Sequence, residues 1–120
     1  MRYMMLIYGD EKQRETLSPQ ARGEMFREYA EFTESIRRSG AFLAGDPLQL
    51  SSTATTVRGK NGKPITTDGP FAETKEQLGG YYIVEAKNLD EAIAIAARIP
   101  AVRVGGSIEV RPIMELPASK

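Results

Sequence analysis

The run Asp68-Gly69-Pro70-Phe71 sets a carboxylate, a conformationally free glycine and an aromatic ring side by side. A carboxyl held beside an apolar ring loses solvation and can exchange a proton near neutral pH. Asp68 is therefore the candidate general acid or base. The same residues also read as a plain turn, because Asp-Gly-Pro punctuates a chain and the charges of Glu73, Lys75 and Glu76 beyond it suit water. Arg58 and Arg111 are candidate anion clamps, since a guanidinium fork grips a carboxylate through two parallel hydrogen bonds. Such arginines more often form a surface or cross-strand ion pair, here with Glu109, Glu85 or Asp68 as partner. Phe71, Tyr8, Tyr81 and Tyr82 offer an apolar wall for a ligand, the tyrosines with a polar handle; core or interface packing is the other use of those tyrosines. Asp46, before Pro47, reads as a turn residue, with the cleft as its alternative.

What the chain lacks narrows the chemistry more sharply. Histidine and cysteine are both absent from its 120 residues. That excludes His–carboxylate dyads, Ser–His–Asp triads, thiol nucleophiles and the usual zinc and haem ligands. Acid–base work falls to Asp, Glu, Lys, Tyr or a bound ligand, and no metal or cofactor is expected. Gly59-Lys60-Asn61-Gly62-Lys63 lacks the spacing of a phosphate loop and no helix follows it. Gly105-Gly106 precedes a strand pattern rather than a helix, so it is no dinucleotide fingerprint. Sixteen basic and sixteen acidic side chains cancel. Such neutrality argues against nucleic acid and anionic membranes, and it removes long-range repulsion between copies. No apolar run approaches the roughly 20 residues of a membrane span. A cytoplasmic location is the expectation.

Positioning these residues requires a definite set of elements. Tyr3 to Tyr8 reads as a buried strand ended by Gly9-Asp10, followed by polar linker over Glu11 to Leu17. Ser18-Pro19 opens a helix. Met25, Tyr29, Phe32 and Ile36 form its apolar stripe, and Gly40 closes it. Ala41 to Leu50 reads as a strand bent at Gly45-Asp46-Pro47. Thr53 to Arg58 and Pro64 to Thr67 form a hairpin around Asn61-Gly62, whose residues tolerate positive φ. Tyr81 to Ala86 is the strongest strand pattern, preceded by Gly79-Gly80. Asn88 with Glu91 opens a small-residue helix stopped by Pro100, and Ser107 to Ile113 alternates as a last strand.

The order β-α-β, polar hairpin, β-α-β in one domain over 1–120 is the α+β, ferredoxin-like split βαβ plan with an inserted β-hairpin. Its helices cover one sheet face. The other face awaits burial, with Tyr3, Tyr8, Tyr81 and Tyr82 as candidate lining, and two such sheets commonly stack as a dimeric α/β barrel. Disorder is expected only at Pro117–Lys120.

The run Asp68-Gly69-Pro70-Phe71-Ala72-Glu73-Thr74-Lys75-Glu76, followed by Gly79-Gly80-Tyr81-Tyr82-Ile83-Val84-Glu85, closely resembles the DGPF-type branch of the YCII-related family. So do the opening Tyr3-Met4-Met5-Leu6-Ile7-Tyr8-Gly9 and the closing Gly106-Ser107-Ile108-Glu109-Val110-Arg111-Pro112. The resemblance implies a ferredoxin-like subunit in a dimeric α/β barrel, in a family whose biochemical role is largely undefined and some of whose members are linked with extracytoplasmic-function sigma factors. It also implies a His–Asp dyad in the broader family, with Asp68 as its carboxylate half; the histidine half has no counterpart here. Two functions are expected to compete. One is an accessory or regulatory homodimer binding a small organic molecule. The other is a cofactor-free enzyme using Asp68 as acid or base, with Arg58 or Arg111 stabilising an oxyanion.

Overall fold

The structure is a computed structural model that describes residues 1–117. Of the expected disorder at Pro117–Lys120, residues 118–120 lie outside the described residues. Six strands run in chain order: β1 (Arg2–Gly9), β2 (Phe42–Pro47), β3 (Thr55–Lys60), β4 (Lys63–Asp68), β5 (Gln77–Glu85) and β6 (Ser107–Pro112). Three α-helices are interleaved, α1 (Glu11–Glu15), α2 (Pro19–Arg38) and α3 (Leu89–Ala96).

Strands β2, β5, β1 and β6 lie in that order in one sheet, every neighbouring pair antiparallel. The molecule is thus α+β with antiparallel sheets, an arrangement compatible with the split βαβ plan. Strands β3 and β4 form a separate two-stranded ribbon, turning at Asn61 (φ 52°) and Gly62 (φ 78°). Two successive positive φ values are the backbone that an Asn-Gly hairpin turn requires.

Helix α2 starts because Ser18 Oγ accepts the Ala21 N–H at 3.1 Å and Pro19 needs no amide donor in the first turn. Its stripe then buries Phe32 and Ile36, with Tyr29 packed against the same core. Helix α3 is capped by Asn88 Oδ1 at 2.9 Å from the Glu91 N–H, and it buries Ala92, Ile95 and Ala96. Both helices lie on the sheet face that carries Tyr3, Met5, Tyr82 and Val84. Small alanines let α3 come close to the strands, and Gly45 lets the Tyr82 ring pass, since a Cβ there would meet the ring at 2.6 Å.

Three expectations change. Glu11–Glu15 is a short helix rather than linker, because the Asp10 carboxylate accepts the Lys12 N–H at 2.9 Å. Gly79 and Gly80 lie inside β5 rather than before it. There the register with β1 jumps from Tyr8↔Leu78 to Ile7↔Gly80, a bulge that leaves Gly79 unpaired. Tyr3 and Tyr82 face the helices rather than the open side, at 2% and 8% exposure. Alternation along β1 and β5 dictates this outcome, because each stands opposite a core residue, Tyr3 on Val84 and Tyr82 on Met5.

Candidate functional site

The uncovered sheet face collects every second residue of the central strands. Met4, Leu6 and Tyr8 of β1 meet Ile83, Tyr81 and Leu78 of β5, and all six are half-buried. On the flanking strands Ala44 and Asp46 stand opposite Ile83 and Tyr81, while Arg111, Glu109 and Ser107 stand opposite Met4, Leu6 and Tyr8. The centre of this face is apolar and its polar groups lie toward the edges.

Tyr8 and Tyr81 therefore share the face that sequence reading assigned them. The Tyr81 hydroxyl donates to Asp46 Oδ2 at 3.0 Å. That hydrogen bond, reinforced by the carboxylate charge, holds the phenol above its usual pKa because it favours the neutral, donating form. Asp46 thus belongs to the candidate site rather than to a bare turn. The signal was present in the sequence: a strand carried through to Pro47 puts Ala44 and Asp46 on one side. Arg111 lies on the same face, opposite Met4 and toward the far end of the strand from Tyr8, with Glu109 as a loose partner at 4.0 Å.

Asp68, Arg58 and Phe71 lie elsewhere, on the ribbon and its exit. Asp68 ends β4 opposite Thr55, fully outside the sheet. Among the described residues its carboxylate has no hydrogen-bond or ion-pair partner. Arg58 stands opposite Ile65, so alternation puts it on one ribbon face and Asp68 on the other, with Val57 and Thr66. The Arg58 guanidinium lies 5.1 Å over the Phe71 ring and donates to the Phe71 carbonyl at 3.3 Å. The ring that was expected to desolvate Asp68 is occupied by Arg58 instead, and it stays 73% exposed. An acid–base partnership between Asp68 and Arg58 within one chain has no geometric support here.

A polar latch that sequence reading missed sets the ribbon's base. Glu11 accepts from the Ser51 Oγ at 2.6 Å and from the Ser51 N–H at 2.8 Å, and its own N–H donates to Gln77 Oε1 at 3.0 Å. These bonds tie the end of β1, the entry to the ribbon and the start of β5 at one point. Just beyond, the Gly69 N–H donates to the Ala54 carbonyl at 2.7 Å and Thr56 Oγ1 donates to the Gly69 carbonyl at 2.8 Å. The first half of the Asp68-Gly69-Pro70-Phe71 run is thereby a clamp that closes the ribbon.

Two shallow hollows lie apart from these residues. One of about 570 Å³ sits between the end of α2, the end of β5 and α3, beside Glu85, Lys87 and Arg98. The other, of about 310 Å³, is apolar and lies between α3 and β6. Neither is lined by a candidate named above. Among the described residues no group of three or more Asp or Glu could hold a metal ion, and no helix is long and apolar enough to cross a membrane.

A family model described as YCII-related domain matches residues 1–117. The chain belongs to the YCII-related family. It is also similar to an uncharacterized protein of Rhizobium meliloti (strain 1021), with 34% identity over 114 residues, 94% of this chain and 92% of that one. In this chain the Tyr81 hydroxyl and the Asp46 carboxylate are hydrogen-bonded on the open face, and no histidine exists to join them.

Proposed function

We propose that this YCII-related protein is a small cytoplasmic homodimer, built as a dimeric α/β barrel, that binds a small organic ligand as an accessory or regulatory module. One observation carries the dimer. The chain leaves 8832 Å² accessible, about 2,400 Å² more than area scaling gives for a compact monomer of 13.2 kDa. Its radius of gyration, 16.5 Å, likewise exceeds the roughly 13.6 Å of a compact domain of this length. Two chains each burying surface of that order would form an interface in the obligate range, about 2,000–5,000 Å² in total. The half-buried apolar strip of Met4, Leu6, Tyr81 and Ile83 supplies the surface, and zero net charge opposes nothing.

The ligand reading rests on Tyr8 and the Tyr81–Asp46 pair, which put a few polar groups on an otherwise apolar floor, the usual make-up of a small-molecule site. The enzymatic alternative, Asp68 as general acid or base, is the weaker reading because Asp68 has neither a partner nor Arg58 on its face of the ribbon.

A thermal-shift screen of small carboxylates, ketones and phenols tests the proposal. The expected result is a compound that raises the midpoint of the wild type and has no effect on Tyr81→Phe, since ligands stabilise the state they bind. Loss of the shift in Asp68→Asn with the Tyr81→Phe shift intact would instead favour the enzymatic site. A dimer that no compound stabilises would overturn the ligand reading and leave a structural dimer.

A further inference from the structure

Two-stranded ribbons standing alone are marginal in water, because pairing without a packed face does not offset the cost of ordering the backbone. The β3–β4 ribbon is of this kind. Each of its strands packs on the other and makes at most marginal contact with any other element. It nevertheless carries Val57 at 63% exposure and Ile65 at 43%, with Phe71 at 73% beside its exit. Val57 lies on one ribbon face and Ile65 on the other, so neither side is apolar-free. The clamp at Ala54–Gly69 and the latch at Glu11 fix its base, so it is a built projection and not a slack loop. Within one chain, the ribbon's apolar surface and the open sheet face both stay uncovered.

A second copy supplies both covers at once. We propose that the ribbon is an arm exchanged between two copies. Each chain's ribbon lies over the sheet face of its partner, so Arg58 and Phe71 of one copy close a cleft floored by Tyr8 and the Tyr81–Asp46 pair of the other. The inference rests on the homodimer reading and adds that the site is incomplete in one subunit. It also names a ligand class. Among the described residues Arg58 pairs with no carboxylate, and its ribbon face carries Lys60 and Lys63 but no acidic residue. A guanidinium backed by an aromatic ring, above an apolar floor, suits a small organic carboxylate.

The test uses the full chain and forms derived from it. In the first, Thr55–Asp68 is replaced by one glycine, which the adjacency of Ala54 and Gly69 allows; no residue of the buried core lies in the deleted stretch. Sedimentation equilibrium is expected to show at least a tenfold weaker dimer than wild type, with a cooperative unfolding transition retained. In the second, chains carrying Phe71→Cys are mixed with chains carrying Tyr8→Cys and treated with a short bis-maleimide. The native sequence has no cysteine, so a cross-linked pair of unlike chains reports the contact between subunits. Such a pair is the expected product, and benzoate is expected to raise the unfolding midpoint of the wild type but not of Arg58→Gln; an equal effect on both, or none on either, overturns the carboxylate site. A wild-type dimer whose affinity survives the deletion, or a mixture giving no unlike pair, overturns the arm and leaves the dimer standing. A wild type that sediments as a monomer at micromolar concentration overturns the dimer itself.

Discussion

At the scale of single residues, hydrogen bonds separate the candidates by what each one touches. Tyr81 and Asp46 are coupled at 3.0 Å, and that bond raises the phenol's pKa by favouring the protonated form. Removing the carboxylate charge removes the coulombic cause and leaves only a weaker, neutral hydrogen bond. Asp46→Asn is therefore expected to move the Tyr81 titration down toward the ordinary phenol range, read by ultraviolet absorbance against the Tyr81→Phe background; an unmoved titration would break the couple. Tyr29 and Tyr82 are raised for a different reason, chiefly burial, which penalises a phenolate. Their folded-state pKa values lie above the unfolded ones, so the folded state holds its protons more tightly. The associated stability is complete below the ordinary tyrosine value and is lost as pH rises above about 10. With no histidine, denaturant midpoints are expected to stay nearly level from pH 6 to 8 and to fall on the alkaline side. A marked acid-side step within that window would contradict the assignment.

At the scale of elements, the latch and the turn determine where the ribbon stands. Glu11, Ser51 and Gln77 fasten its base, while Asn61 and Gly62 fold its tip through two positive φ angles. Gly62→Ala forces a Cβ into the left-handed region at a cost of about 1–2 kcal/mol. Because the ribbon shares little packing with the rest, that loss is expected to appear locally. Amide exchange should accelerate throughout β3 and β4 while β1 and β5 keep their protection. An equal loss of protection in β1 would show the ribbon to be part of the core. The helices were legible from sequence because their caps and stripes are local: Ser18 and Asn88 each bond their own first turn. Helix α1 was missed because its evidence, one aspartate cap before five ordinary helix formers, is shorter than a stripe.

At the scale of the whole molecule, uncovered surface is the outstanding fact. The open face keeps Leu6 at its centre, between Tyr81 and Glu109. Leu6→Glu adds a charge to the surface that a second copy would bury, yet it replaces no residue of the buried core. The expected outcome is a folded monomer of about the 13.2 kDa chain mass, against a wild type expected at twice that value. A variant that remains dimeric would place the interface elsewhere, and one that unfolds would show that Leu6 belongs to the subunit's own core.

The amino-acid sequence by itself determined the α+β class, the order of the strands and of helices α2 and α3, the Asn61-Gly62 turn and the chemistry excluded by missing histidine and cysteine. Each of these follows from composition or from periodicities of two and 3.6 residues, which act over a few neighbours. It also determined the family, through a motif running from Asp68 to Glu76. Only the tertiary structure decided that Tyr3 and Tyr82 are core, that Asp46 meets Tyr81, and that Arg58 turns away from Asp68 onto Phe71. Those outcomes depend on strand register. A shift of one residue, or a single bulge at Gly79, exchanges the two faces of a strand. Register is fixed by packing between residues far apart in the chain, such as Met5 with Tyr82 and Tyr3 with Pro112, and no local pattern encodes it.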